Sequence, residues 1–359
     1  MSNKVFLSLA LAASLAVCPA RSQEEPVAGF EALVEVTEVL LDVLATDRSG
    51  NVVAGLGKDD FVVREDGEPV EVTGVSFYTT RYGSGDEPAV PGEVPSSRYF
   101  IFFVDDVTRE GLIRRQLEAA REARRWVEDE MLPSDWVAVV SYDVKLKIHE
   151  DFTQNRDAIL GGIDSAARNR DPEKNLGRGG RRLPPSGAPS LLRQLPQGKE
   201  LRKKSKRIYD GVRLVAEAAG YIVGRKNLLL FTIGFGELSR VGAIAEGDRR
   251  YYPRMEQALN DHNVAVYPVD LTFAGDHLQS HFLSQLASDT GGYYYRNFVN
   301  FITPLKQVSE ENSGYYLLSY QSEHPAAEAG YQEVKVEARD RSIKVRARKG
   351  YRFGTHGES

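Results

Sequence analysis

The chain has 359 residues, 42% of them hydrophobic and 27% charged, with a formal net charge of −5. This composition is globular and excludes a disordered chain, a collagen and a coiled-coil rod; the length suggests about two domains. A single cysteine excludes a disulfide framework and a cysteine-built zinc site, and the acidic balance excludes a generic nucleic-acid binder.

Lys4 precedes the apolar run Val5–Val17, which fits a secretory signal and is short for a membrane span. Small residues allow cleavage after Ala20 or Ser22. The expected product is an exported chain, periplasmic or secreted, that has lost residues 1–22 and its one cysteine. Leu15-Ala-Val-Cys18 is a rival lipoprotein box, with Val17 where Gly, Ala or Ser is usual. No other apolar run is long enough to span a bilayer, so no transmembrane segment is expected once the signal is removed.

Residues 30–80 read as β structure. Val39, Leu41 and Val43 alternate with Leu40, Asp42 and Leu44, and Asp47-Arg-Ser-Gly-Asn51 is a turn. That turn has half of a calcium-loop spacing, but Lys58 stands where the twelfth-position acid belongs. Phe61–Glu65 and Val70–Val75 flank Asp66-Gly67, a hairpin signal. Residues 81–97, rich in Gly, Pro and Ser, read as a linker.

From Arg98 strands alternate with helices. Tyr99–Val104 is a continuous apolar run, as in a strand buried on both faces. Ile113, Leu117, Ala120, Val127 and Met131 are expected to line one helix face. Further strands are expected at Trp136–Tyr142, Leu146–Phe152, Asn227–Thr232, Val264–Asp270 and Tyr293–Tyr295. A helix capped by Asn155 is expected to reach Ala167, and further helices are expected over Tyr209–Val223, Tyr252–His262, His277–Thr290 and Phe298–Glu311. This order predicts an α/β fold: a doubly wound, mostly parallel sheet whose ligands bind beyond the carboxyl ends of its strands. The loops after Val104, Tyr142, Thr232 and Asp270 are therefore the place to seek function.

Residues 168–207 carry 13 basic side chains against Asp171, Glu173 and Glu200. Arg181, Arg182, Arg202, Lys203, Lys204, Lys206 and Arg207 make this insertion either a mobile electrostatic docking arm or a solvated loop. Aromatic residues do not interleave the charges, which argues against nucleic acid. The chain ends in strand-like segments, Tyr315–Tyr320, Tyr331–Ala338 and Ile343–Arg348. Too few strands exist at either end for a stable sheet pair, so residues 30–80 and 314–353 are expected to form one β-sandwich, with the α/β body (98–313) inserted between them.

The strand and helix order resembles a von Willebrand factor type A domain, and more closely the exported VWFA-related Acidobacterial domain family. Carrying the resemblance are Asp59-Asp-Phe-Val-Val-Arg-Glu-Asp-Gly67, Pro133-Ser-Asp-Trp-Val-Ala-Val-Val-Ser141, Glu150-Asp-Phe-Thr153, Leu283–Tyr293, Gly314–Tyr320 and Val345–Tyr351. It implies a binding module, often working through a metal-ion-dependent adhesion site built from Asp-x-Ser-x-Ser, a Thr on a second loop and an Asp after a later strand. Here the pattern is degenerate. With Asp105 on the motif aspartate, Val107 and Arg109 occupy the serine positions; with Asp106, Thr108 and Glu110 do. Thr232-Ile-Gly234 replaces Thr-Asp-Gly, and the second-loop Thr cannot be placed because the long basic insertion occupies that region. Asp105, Asp106 and Thr108 are a vestigial metal set with at most weak Mg²⁺ or Ca²⁺ binding, or else caps for the next helix.

His277 and His281 are spaced i, i+4, but no Glu follows His277. A nucleophile elbow, a phosphate loop and a dinucleotide glycine motif are all absent from the sequence. The expected function is non-enzymatic binding of a protein or envelope component, with Asp105, Asp106, Thr108, Gly234 and Glu237 lining the binding face and no cofactor. The alternatives are a hydrolase using the same carboxylates and a structural spacer of an envelope assembly.

Overall fold

The computed structural model describes residues 37–80, 93–95, 97–107, 111–172, 184–238, 244–273, 278–295, 300–322 and 330–353. The export segment, most of the expected linker (81–92 and 96), Thr108, Arg109, Arg181, Arg182 and His277 lie outside the described residues.

Strand β1 (Thr37–Thr46) ends in a turn whose Asp47 carboxylate accepts the Ser49 and Asn51 N–H groups at 2.8 and 2.9 Å. Strands β2 (Phe61–Glu65) and β3 (Glu68–Val70) form the hairpin at Asp66-Gly67, with φ of 47° and 89° as a type I′ turn requires. The expected second arm, Val70–Val75, is not one strand. β3 stops at Val70, and β4 (Val72–Thr79) runs in another sheet. β5 (Glu93–Pro95) pairs parallel with β4, so strand replaces linker at these positions.

The α/β part comprises β6 (Tyr99–Asp105), α1 (Ile113–Asp129), β7 (Trp136–Tyr142), β8 (Leu146–Thr153), α2 (Arg156–Ala167), α3 (Gly198–Lys204), α4 (Ile208–Ala219), β9 (Lys226–Thr232), β10 (Glu237–Leu238), β11 (Ala245–Glu246), α5 (Tyr252–Asp261), β12 (Val264–Asp270), α6 (Ser280–Asp289) and α7 (Ile302–Glu311). Its main sheet has the order β12-β9-β6-β7-β8, parallel except for β8. Alternate residues serve opposite cores. Ile101, Phe103, Val140 and Leu230 pack with α4, α5 and α6, while Phe100, Phe102, Val139 and Phe231 pack with α1, α2 and α7. A sheet covered on both faces needs apolar residues at every position, which explains the unbroken run in β6.

Two expectations change here. Helix α1 buries Gln116, Ala119, Ala123 and Trp126 together with the expected Val127, and Met131 beyond its end is buried as expected, whereas Ile113 and Leu117 are each 38% exposed. The Trp126 ring, 5.0 Å from that of Phe100 and 5.6 Å from that of Phe102, packs α1 on the sheet, with the small Ala119 and Ala123 on the same buried face. Tyr293–Tyr295 is not a strand but a single bridge from Tyr295 to Val269. The expected cap holds: Asn155 accepts the Ala158 N–H at 3.3 Å and starts α2.

After α7 come β13 (Gly314–Ser322), β14 (Gly330–Ala338), β15 (Lys344–Arg346) and β16 (Gly350–Phe353). They join the first strands in two sheets, ordered β15-β1-β13-β4-β5 and β16-β14-β2-β3. Val39, Leu41, Phe61, Tyr316, Leu318 and Val334 share the core between them. Arg348 ties these sheets to the α/β part by donating to the carbonyls of Asn260 (2.9 Å) and Leu40 (2.8 Å), and Lys349 pairs with Asp289 at 2.7 Å.

Near that junction, burial and then the Asp289 charge push the Glu256 carboxyl up from 4.5 to about 7. The folded protein therefore binds a proton that the unfolded chain releases between pH 4.5 and 7, and stability falls across this window as pH rises. Glu256 is half-buried, so screening reduces the cost to about 1 kcal/mol. Glu256→Gln is expected to stabilise the protein by that amount at pH 8 and to leave it unchanged at pH 4. Urea unfolding at the two pH values checks this; an equal effect at both contradicts it.

Candidate functional site: the loop face of the parallel sheet

Strands β6 and β9 are parallel neighbours, so Asp105 and Thr232 emerge side by side at their carboxyl ends. The Thr232 hydroxyl donates to Asp105 Oδ2 at 2.6 Å and accepts the Gly234 N–H at 2.9 Å. Gly234 has φ of 90°, and a Cβ there would lie 2.3 Å from Gln279 Cβ, so only glycine fits. The Gln279 amide pins this loop, accepting from the Gly236 N–H (2.9 Å) and donating to the Gly236 carbonyl (3.0 Å).

Asp106 is held by a different set. Its oxygens accept from Asn169 Nδ2 at 2.6 Å and Gln116 Nε2 at 3.3 Å. Gln116, buried on α1, also accepts the Val107 N–H (2.9 Å) and donates to the Ala167 carbonyl (2.9 Å). Lys147 on β8 donates to Asn169 Oδ1 at 2.5 Å and to Asp143 at 2.9 Å. A buried ammonium thus stands one residue away from Asp106. Its bond to Asp143, working against burial, holds that carboxyl below the usual range. Asp270, at the end of β12, accepts the N–H and hydroxyl of Thr272 at 2.8 and 2.7 Å and the Tyr294 hydroxyl at 2.9 Å.

These placements bear on the sequence reading. Neither aspartate caps α1, whose N-cap is Leu112 with no side-chain cap bond. Val107 turns inward and is 1% exposed, and Ile233 packs on the same core, so neither faces a cation. Among the described residues no group of three or more His, Cys, Asp or Glu could hold a metal ion. Gln116, Lys147, Asn169 and Gln279 were not singled out from sequence; only Gln116 carried a signal there, as a polar residue in line with Ala119, Ala123 and Trp126.

Glu237 is exposed on β10, its register partner being Glu246 of β11. Nearby, the Arg250 N–H, followed by its guanidinium, holds Asp248 below the usual carboxylate range. Four large apolar side chains stand in the connections that leave β9 and β12: Leu238 (54% exposed), Ile244 (45%), Phe273 (52%) and Leu278 (58%). Beneath the face, between α1, α2 and the sheet, the cavity is about 20 Å³, room for about one water. The Ser141 hydroxyl meets His149 Nε2 at 2.7 Å, and His149 Nδ1 meets the Ser165 hydroxyl at 2.9 Å, but Ser141 is 1% exposed and beyond a substrate's reach.

The basic insertion is not a free arm where it is described. Asp151 on β8 accepts the Ser190 hydroxyl (2.6 Å) and the Leu191 N–H (2.7 Å), and Leu191 and Leu195 are buried in the core. These anchors hold residues 184–207 against the sheet edge. Charge and Pro/Gly content alone gave no weight to the leucines. Arg202, Lys203, Lys204 and Lys206 are exposed, Lys204 pairs with Glu200 at 2.9 Å, and Arg207 stacks 4.2 Å from the Tyr251 ring centroid. His281 meets the Ala245 carbonyl at 3.3 Å.

Neither a family model nor a curated protein sequence matches the chain. Solved structures do show similarity. BatB of Bacteroides thetaiotaomicron is 16% identical with a TM-score of 0.37, over 60% of this chain and 97% of that one. The von Willebrand factor type A protein of Catenulispora acidiphila is 9% identical with a TM-score of 0.38, over 90% and 75%. The SpRpn10 VWA domain is 11% identical with a TM-score of 0.32, over 59% and 95%.

Proposed function

We propose that the chain is an exported, non-enzymatic binding protein with a von Willebrand A-type body that recognises another protein on its loop face. The observation that carries this reading is the loop face itself. Its carboxylates are engaged in hydrogen bonds within the protein, while Leu238, Ile244, Phe273 and Leu278 are exposed in the connections that follow the carboxyl ends of β9 and β12. Exposed apolar groups beside a polar surface suit a protein partner, not a small substrate. The main sheet order, and the order of the segments that resemble the VWFA-related Acidobacterial family, support the A-type reading. In this reading residues 1–22 are the export signal, 30–80 and 314–353 are two parts of one β-sandwich, 81–97 connect them to the body, and 98–313 are that body, inserted with its basic segment 168–207. No helix among the described residues is long and apolar enough to cross a membrane.

The adhesion metal site is degenerate in this proposal. Asn169 and Gln116 take the Asp106 oxygens that a cation would need, and Val107 points into the core. A hard cation replaces most of its water shell only where several oxygen ligands converge. The unfolding midpoint is therefore expected to move by less than about 1 °C between excess Mg²⁺ and a chelator. A shift of several degrees that Asp106→Ala abolishes would show a working site. In parallel, the full chain is expected to capture a protein from envelope extracts, and Leu238→Glu with Phe273→Glu to lose it. Capture unchanged in that double variant sinks the loop-face reading.

A further inference from the structure

The end of α6, the turn after β1 and strands β14 and β15 enclose a cleft of about 830 Å³, whose lining does not include Asp105, Asp106, Gly234 or Glu237. Pockets that hold ligands typically span ~300–1,000 Å³. Among the described residues, Arg48, Lys335, Lys344, Arg346, Arg348 and Lys349 line it against only two acids, in a chain whose net charge is −5. Both acids are engaged. Asp47 closes its own turn, and Glu311 pairs with Arg346 at 2.5 Å and accepts the Tyr295 hydroxyl at 3.0 Å. Arg48 and Lys344 are exposed and form no salt bridge among the described residues, although, after the Ser342 N–H, the Arg48 charge helps to hold the Asp340 carboxyl below its usual range.

Two further features mark the cleft as a place for a ligand. Tyr293 is 51% exposed, with the Arg346 guanidinium 5.5 Å from its ring centroid. Tyrosine and arginine, with tryptophan, are the side chains enriched at the energetic centre of protein interfaces. In the wall, Gln307 Oε1 and Arg346 Nη1 have no hydrogen-bond partner among the described residues. Buried polar atoms are normally paired, so these two leave the wall short of one donor and one acceptor.

We propose that this cleft binds an acidic, extended peptide segment of a partner protein. The backbone of such a segment supplies the N–H, its Asp or Glu carboxylates meet Arg48, Lys344 and Arg346, and Tyr293 covers one side chain. An anionic polysaccharide supplies the charge without a peptide N–H beside each carboxylate. The proposal rests on the protein-binding reading above but uses a second surface.

The test is fluorescence anisotropy of a labelled hexaglutamate peptide added to the full chain at low salt. Saturable binding is expected, falling as salt rises, with hexalysine inert. Arg48→Glu with Lys344→Glu is expected to weaken it at least about tenfold, and Tyr293→Ala to weaken it as well. The milder Lys344→Gln serves if the double variant fails to keep the wild-type unfolding midpoint. Equal affinity in wild type and charge-reversed chain, or displacement by polygalacturonate at lower concentration than by unlabelled hexaglutamate, overturns the proposal. Capture from envelope extracts without hexaglutamate binding sinks this inference alone. Hexaglutamate binding without capture sinks the loop-face reading alone.

Discussion

Asp135→Asn is expected to lower the unfolding free energy by about 3–5 kcal/mol, measured by urea unfolding. The Asp135 oxygens receive Arg98 Nε at 2.7 Å and Nη2 at 2.6 Å, a bidentate pair with side chains 0% and 6% exposed. The same guanidinium donates to the Ser309 carbonyl (2.6 Å) and hydroxyl (2.9 Å), and Asp135 also accepts the Leu132 N–H (2.8 Å). These residues directly precede β7 and β6 and reach α7, so the pair fixes two strand entries and one helix. Losing the charge on one partner strands the other in a low-dielectric site, which is where the cost arises. Arg98→Met is expected to cost as much. Arg98→Met with Asp135→Leu is expected to recover part of the loss, because neither ion is then left alone. Simple addition of the two single losses would show that the pair is not coupled.

Glu65→Ala is expected to cost about 3 kcal/mol, read by thermal and urea unfolding. Glu65 is 6% exposed, and its carboxylate accepts the Tyr320 and Ser322 hydroxyls at 3.0 Å each, together with the Tyr351 hydroxyl. The alanine leaves three buried hydroxyls without their common acceptor. Glu65→Gln keeps one oxygen and is expected to cost about half as much. A loss below about 0.5 kcal/mol for Glu65→Ala would mean that the hydroxyls find other partners, the outcome typical of exposed positions.

The α/β elements were legible because period and burial agree there. A run such as Tyr99–Val104 admits one reading, a strand covered on both sides. The turns Asp47–Asn51 and Asp66-Gly67 and the Asn155 cap were legible because their chemistry is local. The first half of the α1 face was not, although Val127 and Met131 are buried as expected. Ile113 and Leu117 outrank Ala119 and Ala123 on any hydrophobicity scale, yet the side that faces the sheet is the one carrying Trp126, packed against two phenylalanines. The loop-face network was hidden for a different reason. Asp106 finds its partners on α1 and just after α2, and a side chain from β8 orders one of them. No spacing along the chain records that meeting. The basic segment misled because thirteen charges draw the eye from two leucines and from Asp151, a strand residue that anchors it.

The pairing of the first strands with the last has a consequence for how the chain reaches its native state. Glu65 meets Tyr320 and Tyr351 across 255 and 286 residues of sequence. β1 likewise finds its neighbour β13 only after every element between them has been made. Contacts this remote in sequence gain nothing until the intervening chain has shortened the distance between them. The parallel sheet and its helices do that shortening, since their strands are nearer neighbours along the chain. During synthesis, β1 and β2 wait with unpaired edges until β13 and β14 emerge. For that interval the exposed strands are open to wrong partners, and the acidic residues among 26–80, eleven against three basic, keep such edges apart by repulsion.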